Sequence, residues 1–211
     1  MFESLNLLTF VIASIFLSLA PGPDNIFVLT QSALYGRNAG LLITLGLCTG
    51  LVVHTTLIAF GVGVLFQDSS LAFTVLKTLG AAYLGYLAWQ AFRAASANIE
   101  GAGQPRLTPG RLYRRGIFMN ITNPKVTVFF LAFLPQFAVP EQGPLSFQLC
   151  VLGIVFIAVA WVVFSLVALL AAQLGDWLKS SPGAQRKLNL CASAALSLLA
   201  INLLLSNSLV S

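Results

Sequence analysis

Six apolar runs, each close to or above the roughly 20 residues a helix needs to cross a bilayer, leave this chain few ways to fold. They cover about 5 to 33, 39 to 65, 71 to 92, 114 to 137, 146 to 172 and 187 to 206. With 58% of its 211 residues hydrophobic and 8% charged, the chain has too little polar surface to cover a water-soluble body of that size. In lipid every backbone amide and carbonyl must find its partner inside the protein, and a helix supplies one for nearly all of them. An all-α integral membrane protein is expected. Met1-Phe2-Glu3 lacks the basic stretch that opens a secretory signal, and apolar sequence resumes after Pro23 to about Ala33, so the first run is read as mature structure.

The net charge of +5 does not point to nucleic acid, because the basic residues sit in short connections between apolar runs. If all six runs cross, one side carries Arg37, Arg93, Arg106, Arg111, Arg114, Arg115, Lys179, Arg186 and Lys187, and the other side carries no Lys or Arg. By the positive-inside rule the basic loops are cytoplasmic and both termini lie outside. A first or fourth run that turned back to its own side would scatter these loops over both faces. The polar connection from Arg93 to Arg115, with Gly101, Gly103, Pro105, Pro109 and Gly110, argues against a continuous helix and divides the chain into halves. A single transmembrane domain over 1–211 is expected, with repeat one at about 1–92, a cytoplasmic loop at about 93–115 and repeat two at about 116–211.

Each half opens on an interrupted run. Pro21-Gly22-Pro23-Asp24-Asn25 breaks the first, and Asn123-Pro124-Lys125 breaks the fourth. Proline removes a backbone donor and clashes with the preceding turn, and broken backbone at membrane depth is tolerated only where protein buries it or it lines a cavity. Three crossings per half is an odd number, so halves of one fold must be inverted in the membrane, a known transporter architecture. Aligning Pro23 with Pro124 sets Asp24 opposite Lys125.

Leu19-Ala20-Pro21-Gly22-Pro23-Asp24, Leu79-Gly80-Ala81-Ala82-Tyr83-Leu84, Asn120-Ile121-Thr122-Asn123-Pro124-Lys125 and Phe133-Leu134-Pro135-Gln136-Phe137 occur in that order. Together they resemble the LysE/RhtB family of amino-acid exporters over nearly the whole chain. In run six the chain departs from the family's frequent glycines with Cys191-Ala192-Ser193-Ala194-Ala195, small residues that still permit close packing. The resemblance implies a bacterial inner-membrane protein that exports amino acids or close derivatives by antiport with protons.

An amino acid is a zwitterion, so a site in a low-dielectric interior must answer one ammonium and one carboxylate. Asp24 and Lys125 supply both signs, each costing about 2.5–3.5 kcal/mol to place at the centre of a membrane helix. They are expected to pair in the empty site and to be parted by substrate, whose ammonium would face Asp24 and whose carboxylate would face Lys125. Pro21, Gly22, Pro23, Asn25, Asn120, Asn123 and Pro124 complete the candidate binding set, through exposed amides at the restarted helices and side-chain amides. The competing reading is a static pair that straps the broken helices together, or a Lys125 that snorkels to an interface. Asp24 and His54, the one histidine, are the candidates for carrying a coupling proton. Asp24 is the only carboxylate placed at depth, which tilts the substrate toward a neutral amino acid.

Gly46-x-x-x-Gly50 and Gly61-x-Gly63 read as helix contacts. Tyr83, Tyr86 and Trp89 are anchors, gates or packing, with Trp89 best suited to an anchor, and Lys77 is left outside the site. Arg111, Arg114 and Arg115 are expected to set topology and to face anionic lipid. Cys48, Cys150 and Cys191 fall within apolar segments without metal-ligand spacing and are read as buried free thiols, and no cofactor or metal is expected. An oligomer is left open. An intramembrane enzyme, a structural subunit and an inorganic-ion carrier stand as alternatives; no His-Glu-x-x-His pair or carboxylate cluster favours the first, and a site with both charge signs disfavours the last.

Overall fold

The computed structural model describes residues 4–20, 22–62, 70–93, 107–139, 142–180 and 182–205, and among them there is no strand. Helix α1 (Ser4–Leu19) is followed by α2 (Pro23–Tyr35) and by α3 (Arg37–Leu57), which runs on through a π-helical turn, Ile58–Val62. Next come α4 (Ser70–Arg93), α5 (Pro109–Ile121) and α6 (Pro124–Val128), the last extended by a π turn, Phe129–Phe133, and a 3-10 turn, Leu134–Phe137. Helices α7 (Leu145–Ser180) and α8 (Pro182–Leu205) complete the order.

By length and composition, α3 with its extension and α7 are each able to cross a membrane. The pairs α1–α2 and α5–α6, bent by 62° and 47° at their breaks, bring the number to four if each counts as one broken span. Both interruptions therefore fall at the expected prolines. Gly36 makes the single-residue turn from α2 to α3 at φ 84°, a conformation that residues with a Cβ rarely adopt.

Two boundaries differ from the sequence expectation. Pro109 and Gly110 open α5 instead of lying in the connection, because proline suits the first helical turn, where its missing amide hydrogen would have no partner anyway. The fifth run was expected at 146 to 172, yet α7 has 36 residues. At 1.5 Å per residue that is about 54 Å, well past a hydrocarbon core about 30 Å thick. Hydropathy marks only its apolar part, while the helix continues through Asp176 and Lys179.

The core sits where the second break packs against α1 and α7. Phe10 of α1, Phe129, Phe130, Phe133 and Phe137 after the break, and Phe156 of α7 form one cluster with ring centroids 4.9–6.3 Å apart. Elsewhere α4 lies along α8, and α3 packs on both α5 and α7. At the α3–α5 contact backbone meets backbone. A Cβ at Gly46 would collide with the Tyr113 backbone carbonyl, and one at Gly116 would lie 2.5 Å from the Ile43 carbonyl oxygen. Gly50, one turn on, faces the Asn120 side chain, where a Cβ would meet Cβ and Oδ1 at 2.7 Å. The Gly46-x-x-x-Gly50 stripe is thus a helix contact, whose partner is α5 beside the second break. A Cβ on Gly61, also expected at a contact, would meet nothing within 4 Å, and Gly63 lies outside the described residues. Of the three cysteines expected to be buried, Cys48 is buried, Cys150 partly so and Cys191 exposed, because α8 turns that side away from its neighbours.

Candidate functional site

Each break follows from its local sequence. Proline at position 21 has no amide hydrogen, so the Leu17 carbonyl four residues earlier loses its regular helical partner. Pro21 itself lies outside the described residues. Helix α2 restarts on Pro23 after an extended Gly22 (φ −166°, ψ 171°). A Cβ on Gly22 would stand 2.7 Å from Asp24 Oδ1 and 3.2 Å from Lys125 Nζ, so glycine keeps open the space the charges use. At the second break Pro124 opens α6, and Asn123 caps it by accepting the Lys125 backbone amide on Oδ1 at 3.0 Å. Asn25 serves the first break, donating from Nδ2 to the Ala20 carbonyl at 2.7 Å.

The two breaks meet. Lys125 Nζ donates to Asp24 Oδ1 at 3.3 Å, to the Ala20 carbonyl at 3.0 Å and to the Leu17 carbonyl at 3.2 Å. An ammonium has three donors, and all three are used. Asp24 is 2% exposed and Lys125 3%. Either charge alone at that depth would be costly, and together they join segments 101 residues apart.

Beside the pair lies a cavity of about 10 Å³, lined by Ser18, Asp24, Asn120 and Lys125 and by apolar Leu51 and Phe156, among others. That volume suits one water at most, so the site is closed in this conformation. Ser18 Oγ and Asn120 Oδ1 are buried without a hydrogen-bond partner among the described residues. Both line the cavity and are open to a further hydrogen bond. Asn123 Nδ2 and Asn25 Oδ1, the unused ends of the two capping amides, are in the same condition.

His54 stands one step away from the charges. Its Nε2 lies 3.2 Å from the Asn120 carbonyl, and its ring rests on Phe130 at 5.6 Å. A carbonyl only accepts, so Nε2 carries the hydrogen and Nδ1 is the position at which the ring would take up another proton. Asn120 ties these parts together, since its carbonyl also accepts the Asn123 amide at 3.0 Å. Sequence reasoning passed over Ser18 and the carbonyls of Leu17 and Ala20. The signal was present for Leu17, because a proline four residues later orphans that oxygen.

On α4, Tyr83, Tyr86 and Trp89 stack in series, and the Arg93 guanidinium covers Trp89 at 4.8 Å, an arrangement that suits an interfacial anchor. Arg115 lies over the Phe27 ring at 4.7 Å, so it links α5 to α2.

A protein-family model described as LysE type translocator matches residues 15–207. The chain belongs to this family. Among the relatives of this LysE type translocator is a "Homoserine/homoserine lactone efflux protein" of Salmonella typhimurium, 41% identical over 181 residues that span 85% of this chain and 86% of the relative. An "Uncharacterized membrane protein" of Vibrio cholerae is 34% identical over 86% of this chain and 88% of its own. A "Leucine efflux protein" of Salmonella choleraesuis is 32% identical over 134 residues, 63% of each chain. No solved structure matches. The LysE type translocator described above is thus a multi-pass membrane protein with bacterial relatives.

Proposed function

We propose that this translocator exports a small neutral amino acid or a close derivative across the bacterial inner membrane, by proton-coupled alternating access around Asp24 and Lys125. The observation that carries the reading is the buried pair of opposite charges where two broken helices meet, at 3.3 Å. A zwitterion brings one partner for each charge, so it can separate them without leaving either uncompensated. Its ammonium would take Asp24 and its carboxylate Lys125, with Gly22, Asn25, Asn120 and Asn123 around it and Pro21, Pro23 and Pro124 shaping the breaks. Homoserine and leucine, in the relatives' names, are both zwitterions of this kind.

The halves are proposed to be inverted three-helix repeats with six crossings. Support comes from the two corresponding breaks and from the packing of α3 on α7 and α4 on α8, since these are the pairs that a two-fold relation between the halves would bring together. Helices α4 and α8, at 24 residues each, are about 36 Å long and would supply the remaining two crossings. The cavity must then enlarge as one half rocks on the other. A static strap is the competing reading, favoured by the full set of acceptors around Lys125 Nζ.

The test is efflux of a panel of radiolabelled amino acids from proteoliposomes under an imposed proton gradient. Saturable, gradient-dependent efflux of neutral members is expected, and well-folded protein that moves none of them would end this reading. His54 and Asp24 are the proposed proton carriers. With His54→Ala, substrate efflux is expected to persist at a reduced rate while substrate-stimulated proton flux falls at least tenfold; an unchanged proton-to-substrate ratio would remove His54 from the relay.

A further inference from the structure

We propose that the carbonyls of Leu17 and Ala20 and the carboxylate of Asp24 form an ammonium-binding cage, in which the Lys125 ammonium stands in for the amine of the transported compound. The proposal rests on the exporter reading and specifies which atoms receive the amine. The cage is built by the break itself. Leu17 O has no regular helical donor because residue 21 is a proline, and the axis turns after Leu19, so the end of α1 presents carbonyl oxygens to whatever cation arrives. Asp24, in the first turn of α2, adds the full negative charge. The three acceptors lie 3.0–3.3 Å from one nitrogen, the geometry of a primary ammonium with three N–H bonds.

Lys125 enters this cage from the other half of the chain, on a flexible stem, and nothing covalent holds it there. A substrate amine makes the same three hydrogen bonds and carries the same charge, so exchange of one ammonium for the other leaves Asp24 compensated at every stage. The displaced Lys125 remains close enough to meet a carboxylate where the substrate has one. An amine is also what homoserine, its lactone and leucine have in common, whereas the lactone has no free carboxylate. The cage thus recognises the shared group, and Lys125 is the built-in competitor that fills it when substrate is absent.

Lys125→Ala removes Cγ, Cδ, Cε and Nζ, the heavy atoms of propylammonium. In detergent, rising propylammonium chloride should raise the melting temperature of this variant by several degrees, since a ligand at about 100 times its Kd adds measurably to stability. Tetramethylammonium, which has the charge but no N–H, and sodium chloride at equal ionic strength should leave it where it was. The unchanged protein, with its cage filled by Lys125, should show only the salt-control response, and Asp24→Asn/Lys125→Ala should show no response to propylammonium. No shift in Lys125→Ala, an equal shift in the unchanged protein, an equal effect of tetramethylammonium, or a response that survives loss of Asp24 each overturns the cage. If Lys125→Ala is recovered only as aggregate, propylammonium present during solubilisation should return it to a monodisperse peak, and failure to do so counts against the proposal. Because the readout is stability, it separates from export: a responding variant of a protein that moves no amino acid would retain the cage and discard the exporter, and the converse would discard the cage alone.

Discussion

Asp24→Asn, Lys125→Gln and the double variant are all expected to lose amino-acid efflux to background, while differing widely in stability. Each single change leaves one charge buried without its partner, and breaking a buried pair this way costs about 3–5 kcal/mol. Lys125 retains the Leu17 and Ala20 carbonyls in Asp24→Asn, so that variant should be the less damaged of the two. Asp24 in Lys125→Gln is left with the positive end of α2, in whose first turn it stands, a weaker answer than two carbonyls give an ammonium. The double variant removes both charges and should recover most of the lost stability, because a neutral amide pair carries no uncompensated charge. Denaturation in detergent read beside proteoliposome efflux resolves the two effects. A double variant that is stable and still exports would show that the pair is a strap and that substrate binds elsewhere.

The second large effect is expected at the α3–α5 contact. Gly46→Ala and Gly116→Ala each place a methyl group against a backbone carbonyl, of Tyr113 and Ile43 respectively, and neither carbonyl can swing aside as a side chain would. Overpacking of this kind costs about 1–3 kcal/mol, and more where the backbone must move. Larger residues, as in Gly46→Val, should prevent the helices from closing and shift the protein to aggregate on size exclusion. The two alanine variants strain one contact, so together they should cost less than their sum. Gly85→Ala is the control: a Cβ there meets nothing within 4 Å, and alanine is the better helix former by about 1 kcal/mol. A loss in Gly85→Ala equal to that in Gly46→Ala would mean that helix flexibility, not close approach, explains the glycines. Asn120 sits on the same face of α5 one turn beyond Gly116, so loosening this contact should also displace the polar group beside the cavity.

Much of this arrangement was legible from local chemistry. Both breaks fall where the prolines forbid a continuous helix, the flanking asparagines cap or satisfy freed backbone groups, and the glycine stripe on α3 is a packing face. What misled was also local. Pro109 reads as a loop residue until it is seen at the first turn of α5, and α7 outruns its apolar segment because helix continuity depends on backbone hydrogen bonding as well as on hydropathy. The carbonyl of Leu17 was the clearest missed signal, since its missing donor is written four residues further on.

The sequence by itself determined the helical class, the two interruptions and the presence of one acidic and one basic residue at them, because proline geometry and the cost of polar groups in lipid act over a few residues. The tertiary structure alone decided what those groups do to one another. Asp24 and Lys125 are 101 residues apart, and only the docking of the second break against the end of α1 brings Nζ within reach of the carboxylate and the two carbonyls at once. The packing of α3 on α5 gives His54 the Asn120 carbonyl, and α1, α2, α3, α5, α6 and α7 together leave a cavity of only about 10 Å³. A chain's local pattern specifies which polar groups a break exposes. Their partners are settled by how the helices pack, a sum of many weak contacts that no short stretch of sequence contains.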